Sequence, residues 1–252
     1  MIEVACVCVG DKFPIDPCID QLWLGLNKHL SQPFRLTVLT DKPNHEYFSN
    51  RPIRAIQIPH WQEKEDSGYP HWWYKIYLFS PNMNWKGKVL YLDLDVVLVN
   101  SIDKFTSYGE GGFSILQDFN RKWIKDYHVS NSSIMKWQPE QYYGVWEEFN
   151  TDKRKYMSKF RGDQDFITHY FRERRDIHWW PAQWAQSFKW EIFRGGLIQS
   201  GTGLASDGTW PAPPEYYHEP EQPWSINPDC SIVVFHGKPD PWQTDFGIQH
   251  KL

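Results

Sequence analysis

The sequence has no excess of positive charge and no long hydrophobic run. Its 27 lysines and arginines stand against 31 aspartates and glutamates, a net charge of -4, which argues against nucleic acid or an anionic membrane surface as the main partner. The longest apolar run near the N-terminus, residues 4–9, is too short to span a membrane and lacks the basic leader of a signal peptide. We therefore expect a cytoplasmic protein with no nucleic-acid partner and no transmembrane segment.

Cysteine is also scarce, with four in 252 residues. Cys6 and Cys8 fall in an apolar segment and are expected as small, free, buried side chains, without a disulfide framework or a zinc site. Aromatic residues, in contrast, make up 17% of the chain, with 15 Trp, 13 Tyr and 15 Phe. Aromatic faces stack on the apolar faces of sugars and bases, so this excess fits a carbohydrate-handling protein, although the same residues also build cores.

The chain is long enough for one large α/β domain, and no linker or charge block divides residues 1–252. Strand-like segments at residues 2–9, 34–40, 53–58 and 88–99 alternate with helical segments at 16–30 and 71–79. Asp16 is expected as the N-cap of the first helix, with Pro17 at its first position. This order predicts an α/β fold with a doubly wound, Rossmann-like, mostly parallel sheet flanked by helices, whose ligands bind beyond the carboxyl ends of the strands.

The second half of the sequence is less regular. Strands are expected at residues 113–117, 130–136 and 231–235, and helices at 139–149 and 163–174, the last with Asp163 as N-cap. A Trp- and Pro-rich tract at residues 177–228 has weak periodicity. Long irregular segments in a compact domain are often binding loops, so this tract is a candidate ligand-binding region.

Two acidic residues interrupt the apolar segment at residues 88–99. An ionised carboxylate is costly to bury without a partner, so acids at the end of a strand usually bind a cation or a base. Residues two apart project to the same face of a strand, so Asp93 and Asp95 are expected to converge on one hard metal ion.

Three further segments carry matching chemistry. Lys75 lies on the preceding helix, residues 162–165 are Gly-Asp-Gln-Asp, and residues 236–239, directly after the last strand, are His-Gly-Lys-Pro. Two carboxylates and an imidazole suit an octahedral Mn²⁺ or Mg²⁺ whose other positions are filled by diphosphate oxygens. Lys75 and Lys238 would add cationic donors for the same phosphates.

Five segments, taken in order, resemble the motifs of nucleotide-sugar transferases with the GT-A fold. They are Trp73-Tyr74-Lys75, Tyr91-Leu92-Asp93-Leu94-Asp95, Asn131-Ser132-Ser133, 162–165 and 236–239. The sequence is most similar to family 8, the glycogenin and bacterial galactosyltransferase group, which is a retaining family. The resemblance implies one glycosyltransferase domain, with a nucleotide-binding half at about residues 1–115 and a donor-sugar and acceptor half at about residues 116–252. It also implies a nucleotide-sugar donor, first of all a UDP-sugar, and a glycan or glycoconjugate acceptor.

The resemblance further implies a role for each matching residue. Asp93 and Asp95 would hold the metal, with His236 as the third protein ligand. Asp163 and Gln164 would act in catalysis, Asp163 on hydroxyls of the donor sugar and Gln164 beside the anomeric carbon. The remaining donor contacts implied are Val9 beside the base, Lys75 at the sugar and phosphate, Leu94 with Asp93 near the nucleoside, Asn131 at the sugar, and Gly237 and Lys238 at the diphosphate.

The chain departs from the family pattern at two places. Ser133 replaces a glycine, and His236, Gly237 and Lys238 are consecutive, whereas the family separates these residue types by two positions each. The carry-over to His236 is therefore more direct than that to Gly237 and Lys238.

Two other functions stay open at this point. An apolar strand ending in Asp-Leu-Asp-Val also matches the nucleophile motif of haloacid-dehalogenase-type phosphohydrolases, but their second motif, Gly-Asp-x-x-x-Asp, would require an acid at Ile167. A non-catalytic carbohydrate-binding module would use the Trp-rich surface without turnover, but it needs no diphosphate site. Taken singly, Asp163 is also explained as a helix cap, His236 as a core histidine and Lys75 as a solvated helix residue.

Overall fold

The computed structural model describes residues 1–61, 71–109, 111–119, 128–174, 176–193, 226–237 and 239–250. The first part contains β1 (Ile2–Cys8), α1 (Ile15–His29), β2 (Phe34–Thr40), α2 (Glu46–Ser49), β3 (Ile53–Gln57), a 3₁₀ helix (His71–Phe79), β4 (Val89–Leu92) and β5 (Val96–Leu98). The later part contains α3 (Asp103–Ser107), β6 (Phe113–Gln117), β7 (Ser130–Trp137), α4 (Pro139–Thr151), α5 (Lys153–Lys159), α6 (Asp163–Arg174), β8 (Ile177–Trp179), β9 (Ala185–Ser187), β10 (Ile232–Val234) and α7 (Asp245–Gln249). Short 3₁₀ turns lie at Pro81–Met83, Ala182–Trp184 and Pro241–Gln243, and Phe188–Phe193 is π-helical.

A seven-stranded sheet in the order β3-β2-β1-β4-β7-β6-β8 forms the centre of the fold. Strands β3, β2, β1 and β4 are parallel, whereas β7 is antiparallel to both of its neighbours. The carboxyl ends of β1, β2 and β4 therefore meet at one edge, where ligands of doubly wound sheets bind. A second sheet has the order β5-β10-β9. The predicted α/β fold is confirmed.

Helices cover both faces of the large sheet. Side chains of β1 and β4 alternate between two buried clusters, because successive residues of a strand point to opposite faces. One cluster packs α1 against the sheet through Ile19, Leu22 and Leu26. The other packs the 3₁₀ helix, α4 and α6 against the opposite face. Apolar burial on both faces holds the sheet edge, and the polar residues that follow its strands, in fixed positions.

The start of the first helix differs from the prediction. Helix α1 begins at Ile15, and Pro14 occupies the N-cap position without a side-chain hydrogen bond. Asp16 is therefore not the N-cap and Pro17 is not the first helical residue; both lie in the first turn. A carboxylate in this turn still interacts favourably with the helix dipole, which accounts for the acidic signal in the sequence.

The acidic segment at residues 88–99 is not one strand. Strand β4 ends at Leu92, a turn includes Leu94 and Asp95, and β5 pairs antiparallel with β10 in the second sheet. The alternation argument that placed Asp93 and Asp95 on one face of a strand is therefore wrong. Both strands are fully buried, so hydrophobicity alone does not reveal the break between them.

Two simpler expectations concern the cysteines and membrane spans. All four cysteines are free and buried, as predicted. Within the described ranges, no helix has the length and apolar character required to cross a membrane.

Candidate active site

The ammonium group of Lys75 lies at the centre of a buried polar cluster beyond the end of β4. Its Nζ atom is 2.9 Å from Oδ1 of Asp93 and 3.7 Å from Oδ2 of Asp163, and it donates to Oγ of Ser132 at 3.2 Å. Lys75 is 8% exposed and Asp163 is 3% exposed, so these charges interact with little screening by water. The three segments that supply them are far apart in sequence and meet at the sheet edge.

The local structure fixes each member of this cluster. Asp93 follows β4 directly, and its backbone N–H donates to the carbonyl of Ser133 on β7 at 2.8 Å. The hydroxyl of Tyr91 also donates to the Asp93 carboxylate. Asp163, the predicted N-cap of α6, is instead its first residue, so it lies one position inside the helix. The 3₁₀ helix brings Lys75 to both acids because its neighbours Trp73, Tyr74 and Ile76 are buried.

The pKa of Lys75 reflects two opposing effects. Burial disfavours the ammonium ion, but attraction to Asp163 and Asp93 outweighs burial and raises the pKa of Lys75 above its usual value. The ammonium group is therefore permanently charged at neutral pH and can serve as a cation for a bound anion.

One carboxylate oxygen of Asp163 lies 3.7 Å from the Lys75 ammonium but receives no hydrogen bond from the described chain. Burial raises the pKa of its carboxyl, while Lys75, Ser132 and the N–H of Gln164 act in the opposite direction. Its Oδ2 atom is buried and accepts no hydrogen bond. A buried acceptor without a donor is costly, so this oxygen is suited to receive a hydroxyl from a ligand.

Two amide side chains border the same cluster. Oε1 of Gln164 accepts a hydrogen bond from the N–H of Ser132 at 3.2 Å, and Oδ1 of Asn131 accepts from the N–H of Ser133 at 3.0 Å. Each amide is thus held by a backbone N–H of β7. The structure therefore brings Lys75, Asp93, Asp163 and Gln164 together at the sheet edge, and Asn131 is the chain neighbour of Ser132, which contacts Lys75. The functional roles of these residues stay a prediction.

Asp95 lies beside Asp93 but has different surroundings. The pKa of its carboxyl is raised to about 6, first by burial and then by repulsion from Asp93. Lys12, the N–H of Gly237 and Lys75 lower this pKa, but by less. Oδ2 of Asp95 accepts from the N–H of Gly237 at 3.2 Å. Lys12, which follows β1, is a cation near the site that the sequence motifs did not single out.

His236 does not face the two carboxylates. Its Nε2 atom is 2.6 Å from Oγ of Ser187, and its ring stacks between Phe119 and Trp190, with centroids 5.5 and 6.0 Å away. Burial, with a smaller effect of Lys189, lowers the pKa of His236 to about 3. The imidazole is therefore neutral, the form that ligates metals, but it is directed at a serine.

The residues fit a divalent cation in part. Asp93 and Asp95 present two mutually repelling carboxylates, which a hard cation would stabilise. However, no group of three or more His, Cys, Asp or Glu side chains in the described ranges is placed to hold a metal ion. The structure therefore does not bring His236 to the aspartate pair, and the three-ligand site stays a prediction.

The other residues predicted to contact the donor differ in where the structure places them. Val9 at the end of β1 and Leu94 after β4 are buried in the two core clusters, so their side chains pack inward and any ligand contact would come from their backbone. Gly237 touches Asp95 through its N–H. Lys238 lies outside the described residues.

Tyr91 and Ser132 also contact the cluster, although the sequence motifs assign them no role. Tyr91 lies two residues before Asp93, and the alternation of a strand places both on one face, so this contact was accessible from the sequence. The Ser132 contact with Lys75 joins residues 57 positions apart, and no local pattern predicts such a pair.

The fold defined by this sheet and its site is that of GT-A glycosyltransferases, and the resemblance noted in the sequence is confirmed at the level of the fold. No protein-family model matches the chain, and no curated protein matches it in sequence. Among solved structures, galactosyltransferase LgtC in complex with donor and acceptor sugar analogues has a TM-score of 0.60 at 13% identity, over 98% of this chain and 93% of that one.

Two further structures have the same architecture. The glycosyltransferase GlyE of Streptococcus pneumoniae TIGR4 has a TM-score of 0.64 at 13% identity, over 99% of this chain and 60% of that one. Mouse xyloside xylosyltransferase 1 has a TM-score of 0.51 at 15% identity, over 94% and 97% of the two chains. At such low identity the likeness concerns the fold, and the chemistry must be argued from the site.

Proposed function

We propose that this protein is a metal-dependent glycosyltransferase that moves a sugar from a nucleoside-diphosphate sugar to a glycan or glycoconjugate. The observation that carries the proposal is Oδ2 of Asp163, which accepts no hydrogen bond and is buried 3.7 Å from the Lys75 ammonium at the end of the parallel strands. A hydroxyl acceptor beside a fixed cation suits a ligand that combines sugar hydroxyls with phosphates. The similar folds, several of which are named glycosyltransferases, support this reading.

The roles proposed for the residues follow from their contacts. Asp163 accepts a hydroxyl of the donor sugar through Oδ2, and Asn131 and Gln164 border the sugar from β7 and α6. Lys75 supplies positive charge to the phosphates of the donor. Asp93 and Asp95 would hold Mn²⁺ or Mg²⁺, which supplies Lewis-acid stabilisation of the charge on the departing diphosphate.

We infer a retaining reaction from the family resemblance. The bond between the anomeric carbon and the diphosphate oxygen breaks, and the acceptor hydroxyl forms the new bond on the same face of the sugar. A phosphate oxygen of the leaving group takes the acceptor proton, since none of the described carboxylates is assigned as a nucleophile. Gln164 is placed beside the reacting carbon in this scheme. A UDP-sugar as donor and a location in the cytoplasm are further parts of the proposal.

The two alternative functions are less well supported. The second acidic motif of a haloacid-dehalogenase-type phosphohydrolase would require an acid at position 167, and Ile167 is fully buried in the core. A carbohydrate-binding module has no use for a buried ammonium group between two carboxylates. Such a costly arrangement is more typical of a site that performs chemistry.

The test measures the release of nucleoside diphosphate. Each of several nucleotide sugars is incubated with the protein and Mn²⁺ in the absence of an acceptor, where water replaces the missing acceptor slowly. We expect release from at least one nucleotide sugar and none from p-nitrophenyl phosphate. Turnover of p-nitrophenyl phosphate that is lost on Asp93→Asn would instead support the phosphohydrolase.

A further inference from the structure

Trp72 lies on the same face of the 3₁₀ helix as Lys75. A 3₁₀ helix has three residues per turn, so residues three apart are aligned, and they are separated by about 6 Å along the axis. Lys75 directs its ammonium group at Asp93 and Asp163. Trp72 therefore occupies the next position along this face, one turn before Lys75 and farther from the buried charges.

The indole of Trp72 packs directly on the residue before Asp163. A Cβ atom on Gly162 would lie 2.7 Å from Nε1 of Trp72, which is closer than real Cβ contacts allow. Glycine at position 162 thus makes room for the indole. In the same way, a Cβ on Gly10 at the end of β1 would lie 3.0 Å from Nε2 of His71. The first two residues of the 3₁₀ helix thus pack on two different segments beside the site, His71 on Gly10 and Trp72 on Gly162.

Trp72 is exposed to solvent, whereas the residues that follow it are buried. Its neighbours Trp73 and Tyr74 are 0% and 5% exposed, whereas Trp72 is 46% exposed. No other tryptophan in the described part of the chain is exposed to this extent. The indole is therefore accessible beside Asp163, and a ligand that binds there can bury the apolar area that Trp72 exposes.

We propose that Trp72 stacks on the apolar face of the acceptor sugar. This inference rests on the glycosyltransferase function proposed above, in which Asp163 and Lys75 bind the donor. A pyranose ring is about as long as the one-turn separation between Trp72 and Lys75, on the order of 6 Å. A sugar on Trp72 would therefore lie next to the donor sugar and toward solvent, which is where an acceptor enters. Stacking gives affinity for a ring face while leaving hydroxyls free to react.

The test observes Trp72 directly by ¹⁹F NMR of protein labelled with 5-fluorotryptophan. The Trp72 signal is assigned by its loss in Trp72→Phe. Methyl α- and β-glycosides of glucose, galactose and xylose are then titrated at millimolar concentrations in the presence of Mn²⁺ and a nucleoside diphosphate. We expect the Trp72 signal to shift with at least one glycoside, and Trp72→Ala to weaken binding of that glycoside about five- to tenfold.

Leu24→Ala is the matched control, because Leu24 on α1 is 44% exposed and does not belong to the cluster. It should leave glycoside binding unchanged, and Trp72→Phe should retain most of it. A Trp72 signal that no glycoside shifts, or equal glycoside affinity in Trp72→Ala, would overturn the inference. Failure of the wild-type protein to release nucleoside diphosphate from any nucleotide sugar would instead contradict the transferase function, so the two failures are distinguishable.

Discussion

Lys75 is the single residue on which the polar cluster depends. Its ammonium group is the one cation in contact with both Asp93 and Asp163 among the described ion pairs. Removing one partner of a buried ion pair leaves uncompensated charge in a medium that solvates it poorly. The cluster is therefore a constraint on folding as well as the proposed binding site.

Replacing Lys75 with Met should lower the free energy of unfolding by about 3–5 kcal/mol, because two carboxylates lose their buried partner. Urea denaturation at neutral pH measures the change. Lys42→Met is a suitable control, since Lys42 forms an ion pair with Asp11 at 2.8 Å on the surface and should have little effect. A loss below about 1 kcal/mol for Lys75→Met, typical of surface pairs, would contradict this description of the cluster.

Asp163→Asn separates ligand binding from stability. Asn keeps the size of the side chain but replaces one acceptor oxygen with a donor, so transfer should fall about ten- to a thousandfold. Stability should fall less than in Lys75→Met, because Lys75 keeps Asp93 as a partner and burial disfavours the charge of Asp163. Activity assays and thermal melts measure the two effects.

The control for Asp163→Asn lies on the same helix turn. Asp165 pairs with Arg161 at 2.8 Å outside the cluster, so Asp165→Asn should keep transfer near the wild-type rate. Wild-type transfer in Asp163→Asn would show that Asp163 does not bind the sugar.

Asp95 should make stability in the absence of metal depend on pH. Its folded pKa is about 6 against an ordinary value of 3.8, so the folded state holds the proton more tightly than the unfolded state. Its contribution to stability is complete below the unfolded pKa and is lost as pH rises through the folded pKa. Asp95→Asn cannot ionise, so its stability relative to wild type should increase by about 2 to 3 kcal/mol between about pH 4 and pH 7. A pH-independent difference in urea denaturation would contradict the assignment.

The elements of the first half follow closely from sequence pattern. Strands β1, β2 and β3 and helix α1 lie within one or two residues of the expected bounds. The reason is that β1 and β2 are nearly continuous buried runs and α1 has one regular apolar face. The break between β4 and β5 does not follow, since periodicity reports burial but not which sheet a strand joins. The 3₁₀ geometry of residues 71–79 is also not visible in the sequence. The segment is rich in aromatic residues, which have low helix propensity, so local preference does not decide the type of helix.

Packing of the 3₁₀ helix can be tested through two adjacent tryptophans. Trp73 is fully buried and stacks on Phe149 with ring centroids 5.5 Å apart, so Trp73→Ala should cost about 3–5 kcal/mol of stability. Trp72→Ala should cost less than about 1 kcal/mol, since the side chain is nearly half exposed. Equal losses in urea denaturation would mean that this helix does not present Trp72 to solvent.

At the level of the whole molecule, the fold is shared with glycosyltransferases at only 13–15% identity. A few short motifs at strand and helix ends are enough to predict that Lys75, Asp93, Asp163 and Gln164 meet, because the sheet fixes where those ends lie. The orientation of the His236 side chain, in contrast, could not be predicted from a motif. It depends on Ser187, Phe119 and Trp190, residues distant in sequence whose contacts no motif contains. The division into a nucleotide-binding and an acceptor half stays a prediction.

Binding of metal and nucleotide should stabilise the whole fold. A ligand that binds only the folded state adds RT ln(1 + [L]/Kd), about 2.7 kcal/mol at a hundredfold excess over Kd. For a chain of 252 residues, this corresponds to a rise in Tm of about 5–10 °C. We expect that rise for wild type with a nucleoside diphosphate and Mn²⁺, and a smaller one when EDTA replaces Mn²⁺.

Asp95→Ala should abolish the Mn²⁺-dependent part, because a ligand of the proposed metal is removed, while His236→Ala tests whether the imidazole contributes. A Mn²⁺-dependent rise in Tm that is unchanged in Asp95→Ala would rule out the aspartate pair as the metal site. An unchanged rise in His236→Ala alone would mean that the metal is held without the histidine, in agreement with the contact between His236 and Ser187.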